Sequence, residues 1–243
     1  MTRSRSKIPS PPLRLVFYSG GQSRSNHQIH REVVRLAREA RGSYTQTPLT
    51  LTYIPYMADG AHTYFERAMR RFRAFGIERF YLQEPDHPIT SAERRVLLES
   101  DVIYLAGGNT YTFLHSLRRS RLISPLQEFA RKGKVIAGLS AGGIILTPTI
   151  ALAGIPSFDA DENEPNLQTP QELKGLSLVS FEFSPHDANS AKRKQELLKY
   201  SQSLSHPIFA VHDGGGLVVE GDRISGFGKI RLFYRGTSWR IRK

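Results

Sequence analysis

Between residues 13 and 146 the chain repeats one unit: a short apolar run closes in a glycine or polar turn and is followed by a stretch with helical spacing and a charged face. The runs LRLVFYSGG from Leu13, LTLTYIPY from Leu49, IERFYL from Ile77, DVIYLAGGNT from Asp101 and VIAGLSAGGIIL from Val135 read as strands at their apolar ends. The stretches 30–41, 63–75, 91–100, 110–118 and 124–131 read as helices. Thr90 or Ser91 caps the third of them, with Glu93 in the first turn, where the helix dipole favours an acid. Strand and helix in alternation dictate an α/β chain with a mostly parallel sheet and helices on both faces. In such a fold the ligand crevice lies beyond the carboxyl ends of the strands.

Composition narrows the class. The 243 residues fit one large domain or two small ones, at about 100–200 residues per domain; the expectation is a basic, proline-rich N-terminal segment, 1–12, followed by a single domain over 13–243. With no cysteine, a disulfide framework, thiolate catalysis and a Cys-ligated metal site are excluded. No run approaches the roughly 18 apolar residues of a membrane span, and the N-terminus lacks the apolar centre of a signal peptide. The expectation is a cytoplasmic protein with no membrane partner. Lys and Arg number 34 against 22 Asp and Glu, a net charge of +12. The basic clusters Arg70-Arg71-Arg73, Arg118-Arg119-Arg121 and Arg240-Arg242-Lys243 lie on separate segments, so no specific nucleic-acid partner is expected. A positive field instead draws in acidic small molecules.

The chemistry concentrates after two adjacent strands. Ser140 stands between Gly138 and Gly142 where an apolar run turns into a helix, the arrangement of a nucleophile elbow whose hydroxyl projects over the sheet edge. A plainer reading has the glycines easing the turn and Ser140 capping the helix. Gly107-Gly108-Asn109 ends the preceding strand, and a right-handed crossover makes it a neighbour of Ser140 on one rim. A glycine N–H there and the N–H of Ala141 can form an oxyanion hole, while Asn109 or Thr110 caps the next helix. The acidic, proline-rich stretch 148–173 reads as a surface loop over the site.

A serine nucleophile needs a base, and the base needs an orienting group. The run 176–183 alternates as a strand and delivers Ser184-Pro185-His186 ahead of a charged helix, 190–202, which makes His186 the best placed of eight histidines. His27 and His30 form an H-x-x-H pair without a third ligand, so no metal is expected there; His62, His87, His115 and His206 read as surface or loop residues. PIFAVHDGGGLVVEGDRI, from Pro207, ends a strand at His212-Asp213. Asp213 is the natural orienter, although an ordinary D-G hairpin turn reads the same way. His212 is a competing base, but as a strand neighbour of Asp213 it points to the opposite face.

The order nucleophile, histidine, acid differs from the nucleophile, acid, histidine order of α/β-hydrolases. It resembles the class I glutamine amidotransferase-like fold and, within it, the peptidase E (aspartyl dipeptidase) family of serine peptidases. The resemblance runs through SGG, YIPYM, LAGGNTYTFLHSLRRSRL, GLSAGGIILTPTI, the PH of SPHD and AVHDGGGLVVEGD, nearly the whole chain. It implies a flavodoxin-like three-layer α/β/α sandwich, with Ser140 as nucleophile, His186 as base and acid, Asp213 as third member and Gly108 and Ala141 as oxyanion donors. Asn109 and Lys192 become substrate-binding positions. It further implies hydrolysis of short peptides, dipeptides with N-terminal aspartate foremost, through an acyl-enzyme, by a monomer or homodimer that uses neither metal nor organic cofactor.

Three departures bear on specificity. The best-known members carry glutamate in place of Asp213, an aspartate near Ala153-Gly154-Ile155 and arginine in place of Lys192. A lysine holds a carboxylate as a point charge rather than bidentately. Two alternatives are a cyanophycinase-like β-aspartyl peptidase, which usually shows G-G-D-Q where this chain has Gly107-Gly108-Asn109-Thr110, and a non-catalytic module binding an acidic metabolite or a protein partner.

Overall fold

The computed structural model describes residues 11–20, 24–42 and 47–241; most of the segment 1–12, and Gly21 of the SGG turn, lie outside the described residues. Strands β1 (Arg14–Tyr18), β2 (Leu49–Ile54), β3 (Ile77–Leu82), β4 (Val102–Leu105) and β5 (Val135–Leu139) form a parallel sheet. The chain then leaves it for β6 (Glu182–Ser184) and β7 (Ile208–Val211), a parallel pair in a second sheet, and returns through β8 (Gly216–Glu220) and β9 (Arg223–Phe227). Finally β10 (Ile230–Tyr234) and β11 (Thr237–Ile241) complete the second sheet. The strand orders are β3-β2-β4-β5-β1-β8-β9 and β11-β10-β7-β6, with β8 antiparallel to β1.

Strand alternation sorts the apolar side chains onto two faces. Leu15, Phe17, Ile103, Leu105 and Ile136 share one core with α4 (Thr110–Arg119), α5 (Ile123–Arg131) and α6 (Ala141–Ile145). Val16, Tyr18, Tyr104, Val135 and Ala137 share the other with α1 (His27–Arg41) and α2 (Ala61–Arg73). Each fully buried Leu, Ile or Phe contributes about 1.5–3 kcal/mol relative to exposure, so both faces must be covered and a three-layer α/β/α sandwich results. Helix α3 (Ser91–Glu99) starts at a reciprocal cap in which Thr90 Oγ1 accepts from Glu93 N–H and the Glu93 carboxylate accepts from Thr90 N–H. Asn109 caps α4 by accepting from Thr112 N–H. A seventh helix, α7 (Ala191–Ser201), packs on the second sheet, and among the described residues no helix is long and apolar enough to cross a membrane.

The structure corrects several expectations. The run 176–183 is not a strand: only Glu182–Ser184 pairs, because the N–H groups of Leu176, Ser177 and Leu178 bond to the carbonyls of Ile145, Thr147 and Leu146, and Ser177 turns to φ 52°. The segments carrying His186 and Asp213 therefore belong to a separate small sheet rather than to the main one. His206 is a loop residue, as expected, but not one at the surface. It lies half-buried, with Nε2 2.9 Å from the fully buried Glu182 carboxylate, which Tyr200 also reaches. The stretch 148–173 is more than a surface loop, since Ile150, Leu152, Ala153 and Leu167 are buried.

His30 belongs to the core. Its Nδ1 shares a hydrogen bond of 2.9 Å with the Tyr18 hydroxyl, and its ring packs edge-on to Phe72 and Phe75. Burial, then the nearby Arg71 and His27, push its pKa down to about 3. An unfolded chain protonates near the usual imidazole value first, so the stabilisation is complete above about pH 6.5 and is lost as pH falls from there toward 3. In urea titrations between pH 6.5 and 4.5, the stability difference between wild type and His30→Gln should narrow by on the order of 1 kcal/mol per pH unit. A pH-independent difference would show that the folded imidazole titrates normally.

Candidate active site

Strand β5 ends at Leu139 and α6 begins at Ala141, so the corner is the single residue Ser140, at φ 49° and ψ −110°. Such a conformation costs of order 1–3 kcal/mol and persists only where the surroundings enforce it. Here they do. Ser140 N–H bonds to Tyr18 O, Gly142 N–H to Ala106 O, and Gly143 N–H to Ser140 O. A β-carbon on Gly138 would lie 2.5 Å from the Gly142 carbonyl, so the strand can approach the helix this closely only as glycine.

The corner aims the Ser140 hydroxyl at His186. Oγ lies 2.8 Å from Nε2, and Nδ1 lies 2.7 Å from Asp213 Oδ1. Asp213 fixes the tautomer: its carboxylate accepts from Nδ1–H, which leaves Nε2 to accept the serine proton. His186 is itself at φ 57°, a second strained residue in the same relay. The parallel pairing of β6 with β7, Ser184 beside Ala210, brings the two strand ends to one edge, and His186 and Asp213 follow them. Both side chains remain open to solvent.

The oxyanion candidates sit on adjacent strand ends, because β4 pairs with β5. Among the described residues, the N–H groups of Gly108 and Ala141 are paired with no protein acceptor. Gly108 adopts φ 142° over the Tyr56 ring, which a β-carbon would approach to 2.3 Å. Asn109 serves structure at both ends of its amide, Oδ1 capping α4 and Nδ2 donating to Glu162 O. Asp161 Oδ2 accepts from Thr110 N–H, so the 148–173 stretch is fastened beside the Gly107–Asn109 turn. Lys192 is exposed on α7 with Nζ 4.8 Å from the Phe158 ring centre. The arginine one position on, Arg193, is buried, donates to Pro185 O at 2.7 Å and pairs with Asp159. It anchors the turn that presents His186. Among the described residues no cluster of three His, Asp or Glu side chains could hold a metal ion.

Two positions that carry the site were not singled out from the sequence. Ser19, fully buried at the end of β1, accepts from His186 N–H at 2.7 Å and lies 2.7 Å from Val211 O, to which it donates, and 3.2 Å from Asp213 Oδ1. Gly20 lies directly against the relay: a β-carbon there would be 2.5 Å from Asp213 Oδ1 and 2.7 Å from His186 Cε1. The only signal was their place in the SGG turn after a buried strand.

The family model of Peptidase family S51 matches residues 16–226, a span that includes every residue of this relay. The chain belongs to peptidase family S51. Its relatives include peptidase E of Streptomyces coelicolor, 28% identical over 198 residues, with 77% of this chain and 76% of the relative aligned. Peptidase E of Shewanella amazonensis is 28% identical over 196 residues, covering 76% and 77%. The fold matches the crystal structure of a peptidase from an acI-B1 Actinobacterium with TM-score 0.69 at 12% identity, over 96% of this chain and 95% of that one. A candidate peptidase E from Listeria monocytogenes EGD-e matches with TM-score 0.64 at 21% identity, over 88% and 98%. As an S51 member the chain is a peptidase.

Gly20→Ala tests the packing of the relay. The added methyl should displace the His186–Asp213 pair and lower kcat about 100-fold, the scale of an ångström-level misplacement, with a melting temperature within a few degrees of wild type. Undiminished turnover would show that the pair tolerates displacement.

Proposed function

We propose that this S51 peptidase is a serine peptidase that cleaves short peptides, dipeptides with N-terminal aspartate foremost, through an acyl-enzyme on Ser140. The observation that carries the reading is the unbroken relay of 2.8 and 2.7 Å from Ser140 Oγ through His186 to Asp213. Ser140 Oγ attacks the peptide carbonyl carbon while His186 Nε2 takes the hydroxyl proton. Asp213 stabilises the imidazolium that forms. The carbonyl oxygen, now carrying the negative charge, accepts hydrogen bonds from Gly108 and Ala141 N–H. When the tetrahedral intermediate collapses, the C–N bond breaks and the amine leaves with the proton from Nε2. Water then attacks the Ser140 ester, giving its proton to His186, and release of the acid restores the hydroxyl.

The preference for a short acidic peptide draws on the family resemblance and on the net charge of +12, which favours encounter with acidic substrates. The 148–173 stretch, fastened at Asn109 and Thr110 on one side and at Arg193 on the other, adds a wall beside the candidate oxyanion loop. Lys192, on α7, is the candidate cation for the substrate carboxylate.

Hydrolysis of an Asp-Xaa panel by wild type and Ser140→Ala tests the proposal. Wild type should cleave the panel, and the variant should lose at least about ten-thousand-fold in kcat. Equal activity in both would remove Ser140 as nucleophile. Cleavage of neutral dipeptides but not Asp-Xaa would overturn the specificity alone, and turnover of β-aspartyl-arginine instead would move the chain to the cyanophycinase-like alternative.

A further inference from the structure

His186 and Asp213 each have a sequence neighbour turned away from the relay. Asp187 and His212 line a separate cleft of about 530 Å³, together with Asn189, Arg231, Trp239 and Ile241. Its polar groups are unusually unsatisfied. The Asp187 side chain is only 3% exposed, yet its Oδ1 has no hydrogen-bond partner, and neither does the buried His212 Nε2. Asp187 Oδ2 stands 3.9 Å from Arg231 Nη1, too far for a hydrogen bond, while Arg231 Nη2 makes a long contact of 3.4 Å to Asn189 Oδ1. An acid and a guanidinium buried side by side with capacity to spare are a poor ion pair but a ready receptor. Beside them Trp239 and Ile241, 48% and 43% exposed, are two of the few large apolar side chains open to solvent.

We propose that this cleft binds a small zwitterion, an α-amino acid with an apolar side chain. Its ammonium pairs with the Asp187 carboxylate, its carboxylate accepts from Arg231, and its side chain covers Trp239 and Ile241. A single carbon separates the two charged groups of such a ligand, which matches receptor groups that stand next to each other. A ligand bearing only a carboxylate leaves the Asp187 carboxylate without a cation of its own, and one bearing only an ammonium leaves Arg231 underused. The recognition is independent of the reaction at Ser140; only the ligand's source, an amino acid released by hydrolysis, rests on the proposed function. Because Asp187 and His212 adjoin His186 and Asp213 in the chain, an occupant of the cleft sits one residue from the relay at two points.

Trp239 is the only tryptophan of the chain, so its fluorescence reports this site. The experiment titrates the Ser140→Ala protein, which cannot turn peptides over, with L-leucine, N-acetyl-L-leucine and L-leucinamide. L-leucine should give a saturable change, and each blocked form should bind about tenfold more weakly, since each lacks one charged contact. Asp187→Asn should weaken L-leucine about tenfold as well. Should that buried substitution unfold the protein, Ile241→Ser, at an exposed position, replaces it with the same expected direction. No saturable change, equal affinity for all three ligands, or binding unaffected by these substitutions would overturn the proposal.

Discussion

The candidate site depends on the seam at which two sheets meet, and the seam closes on the hydroxyl of Ser19. Ser140 belongs to the large sheet, whereas His186 and Asp213 follow strands of the small one. A relay with contacts of 2.8 and 2.7 Å therefore requires two separately built sheets to be held in register. Ser19 bonds to His186 N–H and to Val211 O, and its own N–H reaches Gly215 O, while Gly214 N–H reaches Gly20 O. The bond to Val211 O is buried, and leaving such a bond unmade costs about 1–3 kcal/mol. The absence of a side chain at Gly20 lets the seam close to the distance the relay needs.

Backbone strain at Ser140 and His186 fits the same picture. Both residues hold positive φ, and both are fixed by neighbours rather than by their own preference. Tyr18 O and Ala106 O hold the elbow, while Ser19 and Arg193 hold the histidine turn, one at His186 N–H and the other at Pro185 O. The strain is thus offset by the packing of the two sheets. In the pairs His186-Asp187 and His212-Asp213, just beyond the ends of β6 and β7, one member faces the relay and the other lines the amphipathic cleft.

Much of this was legible in the sequence, for identifiable reasons. The five parallel strands and their helices followed from the spacing of apolar residues, and the elbow from Gly138 and Gly142 around Ser140, because those signals are local. His186 and Asp213 were legible as polar residues ending apolar runs. The small sheet was not, since β7 pairs with β6 and β10 across long sequence separations that no local period encodes. For the same reason 176–183 read as a strand although its backbone bonds go to the end of α6, and nothing near the loop residue His206 pointed to its partner, the buried Glu182. Ser19 stayed hidden because its partners lie 167 and 192 residues away.

We read Ser140 as a nucleophile activated across this seam. Reaction of the wild-type protein with a fluorophosphonate, followed by peptide mapping in a mass spectrometer, tests it most directly. One adduct should form, on Ser140, and far more slowly in His186→Ala. An adduct on another residue, or none on a preparation that cleaves peptides, would contradict it.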